Sequence, residues 1–488
     1  MAADVTLLLD VGGQGSRALL IDADARVRFE ADRDVATSEH DERVEHDAEA
    51  AVSALAALIA DVDAACADGG MRIGAAGLAV QRGSIACWDR ETGAALSPVI
   101  SWRDRRALPG MQALADDATE IKRRTGLRFS PYGGAPKLQW CLSQLDAVRA
   151  AADEGCLAFG PLGSFLAARV LQGQPFLVED TLAQRTLLWS REWFDWDPWL
   201  LERFGLPATA LPPVAESRGS HGALLGVKGA PQLELLIGDQ NAVPFLDGEP
   251  DPDTLYVNIG TGAFLLRPVP APVDTPVFQL SLLDRESGGR WAIEASVHGA
   301  ASAIEWLSRH TGEAIDRARF VGLRERVFDP PLFLNTIDGL GSPWWRSGPR
   351  PAFVGEDVAH EGEGGAHVSE DDARRHGLDA RLLAVLESIA FLVRANVDAM
   401  RELVAPPRRV VVCGGLSRAD IVCQLIGSVL EADVLRLRDG EGTALGAWCM
   451  VQRRRVPEDR YEAISARSDS ALIARYARWL QCLEQDAG

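Results

Sequence analysis

The sequence predicts an α/β protein made of two related halves that face each other across a cleft. Three observations predict it. Residues 7–27, LLLDVGGQGSRALLIDADARV, read as an apolar strand, a tight glycine turn and a second strand. Residues 254–269, TLYVNIGTGAFLLRPV, repeat that pattern half a chain later, which is the mark of an internally repeated architecture. Longer helical stretches follow the hairpins, among them DARLLAVLESIAFLVRANVDAMRELV ahead of Pro406-Pro407. With 488 residues, the chain is long enough for two large domains.

The first hairpin also fits a dinucleotide-loop pattern, because Gly13-Gln14-Gly15-Ser16-Arg17-Ala18 reads G-x-G-x-x-A. Such a loop must run straight into a helix. Here a short apolar run (ALLI), a turn (DAD) and an alternating segment (RVRFEAD) follow, so a hairpin is expected. Glycines at a hairpin tip let backbone N–H groups approach phosphate oxygens. Asp10 just ahead of them would repel a bare phosphate. A divalent cation between the two removes the conflict, since Mg²⁺ takes carboxylate, water and phosphate oxygens together. Asp10 therefore favours a metal-nucleotide over a dinucleotide.

Aligning Gly12 with Gly260 sets Asp10 opposite Asn258 and Gly13 opposite Thr261. Two such turns can hold a polyphosphate between them. Upstream, LELLIGDQNAVPFLDG ends an apolar strand in Gly238-Asp239-Gln240, which puts a carboxylate at a strand end beside the cleft. Phosphoryl transfer needs an acceptor hydroxyl positioned and its proton accepted, a task suited to an aspartate. Near the C-terminus RRVVVCGG reads as a buried strand, and Ser417 as the N-cap of a following helix. Gly414 and Gly415 leave room for a flat ring, and EGTALGAW has small residues at helical spacing.

Bulk properties exclude other classes. A net charge of -20 argues against a nucleic-acid partner, which needs a basic face. Only three lysines occur, Lys122, Lys137 and Lys228, and arginine carries nearly all the positive charge. Eight scattered cysteines without a C-x-x-C pair suit a reducing cytoplasm. No secretory signal is evident, and no stretch is expected to reach the ~18–20 apolar residues that span a bilayer. LLAVLESIAFLV is interrupted by Glu387 and reads as a buried helix. The expectation is a cytoplasmic protein with neither nucleic acid nor membrane as partner.

Taken in order, nine pieces resemble the FGGY family of carbohydrate kinases, most visibly its glycerol kinase-like branch. They are DVGGQGSR, GLAVQRGSIACWDRETGAALSPVISWRDRR, PYGGAPKLQW, GDQNA, NIGTGAFLL, GLGSPWW, LESIAF, VVVCGGLSRADIVCQLI and EGTALGAW. The resemblance implies two domains of ribonuclease H-like, actin-like fold, residues 1–245 and 246–488, with ATP, Mg²⁺ and substrate in the cleft between them. Asp239 is then the base that takes the acceptor's proton, and Asp10 with Asp239 serves the Mg²⁺. Gly12, Gly13, Gln14, Ser16 and Arg17 form the first phosphate loop, Gly260, Thr261 and Gly262 the second, and Gly414-Gly415 the adenine side. Arg82, Gly83, Trp102, Tyr132, Asp239, Gln240 and Phe264 line the acceptor pocket. Pairing into homodimers or homotetramers is common in the family.

Two departures stand out. Glycerol kinases carry Arg-Glu where this chain has Arg82-Gly83, which removes one carboxylate partner for acceptor hydroxyls. QRG is similar to the Gln-Met-His-Gly of xylulokinases, which favours a four- or five-carbon polyol or ketose over glycerol. The first hairpin also lacks the family's Thr and Ser side chains, with Gln14 available to replace one contact. Two rival classes follow: a nucleotide-gated sensor without catalysis, and a dinucleotide-dependent oxidoreductase, which requires a helix beginning near Gly15.

Overall fold

The structure is a computed structural model describing residues 3–13, 15–354 and 377–485; Gln14 lies outside the described residues. Strands β1 (Ala3–Val11) and β2 (Gly15–Ile21) form an antiparallel hairpin that sets Asp10 opposite Arg17. The chain leaves the glycine turn as a strand, so the helix that a dinucleotide loop requires does not form. β3 (Val27–Asp34) extends the hairpin, and helix α1 (Ala48–Gly69) covers the sheet. Asp47 caps α1 by accepting from the Ala50 amide at 2.7 Å. β4 (Met71–Val80) and β5 (Leu233–Gly238) run parallel to β1, giving the order β5-β4-β1-β2-β3. The long excursion between β4 and β5 holds helix α2 (Gly134–Gln144) and three strands, Ile85–Asp89 among them, of a smaller five-stranded sheet whose other two, Thr37–His40 and Arg43–His46, precede α1.

The short helix α3 (Asp239–Ala242) leads into the second half. There β6 (Thr254–Ile259) and β7 (Ala263–Val269) form the second glycine hairpin, followed by β8 (Gln279–Asp284), β9 (Arg290–Val297) and helix α4 (Ala301–Thr311). Helix α5 (Leu378–Met400), β10 (Arg409–Cys413), helix α6 (Asp420–Leu430), β11 (Val434–Leu437), helix α7 (Gly442–Gln452), β12 (Tyr461–Ile464) and helix α8 (Ser470–Gln485) complete it. The sheet order is β8-β9-β7-β6-β10-β11-β12. Its inner strands β9-β7-β6-β10-β11 repeat the order and senses of β3-β2-β1-β4-β5. The internal repeat read from the two hairpins therefore extends to five strands of each sheet.

Both faces of the first sheet are covered, which is why β1 reads as a continuous apolar run. Leu7 and Leu9 meet Leu55, Leu58 and Val62 of α1. Leu8 points the other way, into a core shared with Tyr256, Val411, Leu445 and Trp448 from the second half. Helix α7 thus joins the lobes through apolar contact. By length and composition α1 can also cross a bilayer, which corrects the expectation that no such stretch exists; in the fold its apolar face lies on the sheet. Ser417 is not an N-cap. It sits in a 3₁₀ turn (Gly415–Arg418) and its hydroxyl donates to the Gly414 carbonyl at 2.7 Å, while α6 starts at Asp420. A local turn of this kind competes with the cap for the same hydroxyl.

Glu387 is buried in α5 as expected and accepts from Arg475 of α8 at 2.6 and 2.9 Å. Burial pushes its carboxyl up to about 7 even against the pull of Arg475. Arg475→Met leaves that group without its partner. The expected cost is about 3–5 kcal/mol, read as an earlier urea midpoint for the second lobe.

Candidate active site

Strand ends gather the polar groups. Across β4, Asp10 of β1 and Ile237 of β5 both pair with Ala79. Asp239, just past the end of β5, therefore emerges at the same sheet edge as Asp10. The Asp239 side chain is one-fifth exposed. Its carboxylate accepts from the Gln240 backbone amide at 2.8 Å and from the Gln240 side chain at 3.1 Å, and the Arg82 Nε stands 3.6 Å away. Burial raises its pKa above the usual aspartate value; Arg82 opposes this, and the like charge of Asp10 adds to it. A carboxylate raised in this way is a candidate proton acceptor.

Arg82 is held from the far side. Glu294 of β9, fully buried, accepts from Arg82 at 2.6 and 3.1 Å, from Arg185 at 2.7 and 3.2 Å and from the Ser281 hydroxyl at 2.7 Å. Burial alone would raise the Glu294 carboxyl, but Arg185 and Arg82 hold it well below the usual range. Burial and the like charge of Arg82 draw the Arg185 guanidinium down to about 10. The Arg82 guanidinium also lies 5.3 Å from the Phe264 ring centre, within cation–π range.

Trp102 and Tyr132, both partly exposed, flank Gly83. Gly83 has φ +76°, and a Cβ there would stand 3.3 Å from both Trp102 Cβ and the Tyr132 carbonyl. This turn takes glycine for backbone reasons as well as for the space it leaves. A Cβ on Gly13 would stand 3.5 Å from the Trp102 indole nitrogen and 3.4 Å from the Gln81 side-chain oxygen. The Trp102 segment and the first hairpin therefore adjoin.

In that hairpin the Gly12 amide donates to the Gly15 carbonyl at 2.9 Å, and Ser16 is buried. Arg17 donates to Asp10 at 3.0 Å and pairs with Glu441 of the second lobe at 2.8 Å. Gly260 and Thr261 offer their carbonyls to Ala301 and Ser302 at the start of α4, at 3.2 and 3.1 Å. With Gly262 they form the exposed side of the second turn. The Gln240 side-chain oxygen accepts from Asn258 at 2.9 Å, linking the lobes. Gly414, with φ +87°, lies so close that a Cβ would overlap the Asn258 side chain; Gly415 beside it is exposed.

Among the described residues no cluster of three or more His, Cys, Asp or Glu side chains makes a ready metal cage. Asp10, Asp239 and the buried Gln81 oxygen, which has no hydrogen-bond partner, are hard oxygen donors at one edge. That set suits Mg²⁺, which binds through one or two carboxylates with waters and substrate phosphates. Sequence reasoning missed Glu294, Arg185, Gln81 and Glu441. All four act across long sequence separations, and only "QRG" hinted at Gln81.

Two family models match, the N-terminal domain of the FGGY family of carbohydrate kinases over residues 5–252 and its C-terminal domain over 255–451. The chain belongs to the FGGY family of carbohydrate kinases. It is 32% identical to a glycerol kinase of Rhodospirillum centenum, over 92% of this chain and 89% of that protein. Its fold matches a crystal structure of Plasmodium falciparum glycerol kinase with ADP (TM-score 0.85, 19% identity, 99% of this chain and 98% of that one). A ligand-bound xylulose kinase of Lactobacillus acidophilus is also similar (TM-score 0.80, 18% identity, 99% and 98% covered). This FGGY kinase is an ATP-dependent sugar or polyol kinase, and it has the two-domain actin-like fold that the resemblance implied.

Glu294→Gln strips the compensating charge from two buried guanidinium groups. Stability is expected to fall by about 3–5 kcal/mol in urea unfolding. Because Arg82 loses its anchor, KM for the acceptor is expected to rise more than KM for MgATP.

Proposed function

We propose that this kinase transfers the γ-phosphoryl group of ATP to a terminal hydroxyl of a small polyol or ketose of the glycerol, erythrulose or xylulose type, with Asp239 as general base. The observation that carries this reading is the setting of Asp239. Its carboxylate is desolvated, its pKa is raised, and it stands between Arg82 and the like charge of Asp10. A base so placed accepts the acceptor's proton as the oxygen attacks, while positioning and charge neutralisation supply the rest of the rate. Asp10, with Asp239 and the Gln81 oxygen, would hold Mg²⁺, whose charge offsets that of the phosphates.

Arg82 and Gln240 offer polar partners to adjacent hydroxyls, and Trp102, Tyr132 and Phe264 cover carbon, a mix suited to a small polyhydroxylated ligand. Gly83 brings no carboxylate to that wall, which favours an acceptor longer than glycerol. The turns at Gly12-Gly13 and Gly260–Gly262 would take the phosphates, with Ser16 and Arg17 supporting the first, and Gly414-Gly415 would lie along the adenine. We place the division between the lobes near residue 245.

Asp239→Asn is expected to lower acceptor-dependent ADP release by about 10²–10⁴-fold, while MgATP still raises the melting temperature. Native-like turnover would remove the base assignment. In the native enzyme the active form is the ionised carboxylate. As pH falls through the raised pKa of Asp239 the rate is expected to fall, with a midpoint above the ~3.9 of a free aspartate.

A further inference from the structure

Lys137 is one of three lysines in the chain and the one with no exposed surface. It lies in the first turn of α2, and its ammonium donates to three backbone carbonyls, those of Gly83 at 2.8 Å, Ser101 at 2.8 Å and Tyr132 at 3.3 Å. These carbonyls come from three separate segments. One follows Arg82, one precedes Trp102, and one belongs to Tyr132. Together the segments carry the first-lobe wall of the acceptor pocket, apart from Asp239 and Gln240. An ammonium has three donors and no acceptor, so three carbonyls saturate it. No carboxylate is bonded to it among the described residues.

We propose that Lys137 is a positioning residue for the acceptor: it ties the Gly83, Trp102 and Tyr132 segments into one rigid wall and so sets acceptor affinity without touching the reacting atoms. The proposal rests on the acceptor pocket described under the proposed function. Without the ammonium, three buried carbonyls lose their partner and the aromatic pair is free to spread. Burial draws the Lys137 pKa down to about 7. The groups facing it are Asp104, which favours the charge, Arg106, which opposes it, and Cys141 of its own helix. Asp104 and Arg106 are bonded to each other at 2.7 Å, so they largely cancel at Lys137. The neutral amine has two donors and a lone pair. As pH rises through about 7, one carbonyl loses its donor and the wall loosens.

The test is steady-state kinetics of ADP release with glycerol and with D-xylulose, on the native enzyme and on Lys137→Met, which keeps the stem and removes the donors. The expected result is an acceptor KM raised about tenfold or more, the equivalent of a lost buried hydrogen-bond set, with kcat and KM for MgATP little changed. An unchanged acceptor KM in a variant that MgADP still stabilises against heat overturns the proposal. If the variant does not fold, the native pH profile decides. Acceptor KM is expected to climb from one unit below to one unit above the Lys137 pKa while KM for MgATP stays level, and a flat acceptor profile overturns the proposal. Failure of the underlying reading looks different. The native enzyme would then release no ADP with any acceptor, and acceptor-induced melting shifts, compared between native and variant, would judge the wall alone.

Discussion

A single buried carboxylate governs the geometry of the cleft. Glu294 rises from the second sheet and meets Arg82 and Arg185 from the first lobe, so the charge of one domain is satisfied only when the other is in place. Breaking such a pair is far costlier than losing an exposed one, because a desolvated charge remains behind. Arg82, fixed on that side and bonded to Asn241 at 3.2 Å, lies beside Asp239 and over the Phe264 ring. A second ionic contact joins the lobes where Arg17 spans Asp10 and Glu441. Apolar contact through α7 joins the lobes at the base, and ionic contact sets how the walls face each other.

The repeated sheet explains why the polar strand ends gather where they do. In each lobe the first strand ends in a polar residue, a small turn and a return strand, and a parallel neighbour ends beside it. The two copies differ in charge. Asp10 is a carboxylate able to face a cation, whereas Asn258 is an amide that donates to Gln240 and so braces the residue next to Asp239. A second carboxylate at position 258 would have faced the Gln240 oxygen with no proton to offer. The neutral copy therefore braces the segment that carries Asp239, and the charged copy keeps a carboxylate at the strand end.

Much of this was legible in the sequence for a physical reason: strand–glycine–strand patterns and strand-end carboxylates are local. The hairpins at Gly12 and Gly260, Asp10 and Asp239 could be read from neighbouring residues alone. Glu294 could not. In "WAIEASV" it looks like one polar residue in an alternating strand, and its importance comes from Arg82 and Arg185, far away in the chain. Lys137 was visible only as a rare lysine in "APKLQW", and its three carbonyl partners lie in loops that sequence patterns do not connect. Ser417 misled because a serine before a helix has two uses for its hydroxyl, and here the turn took it. Helix α1 misled in the other direction, since apolar composition does not reveal which face a sheet will cover.

In the proposed function both hairpins hold one nucleotide while the first-lobe wall holds the acceptor. Amide hydrogen exchange tests it most directly. A non-hydrolysable MgATP analogue is predicted to slow exchange at residues 12–17, 260–262 and 414–415 together, and added acceptor to extend protection to residues 82–84, 101–102 and 132. Protection confined to one lobe, or an acceptor effect remote from those segments, would rule out that arrangement.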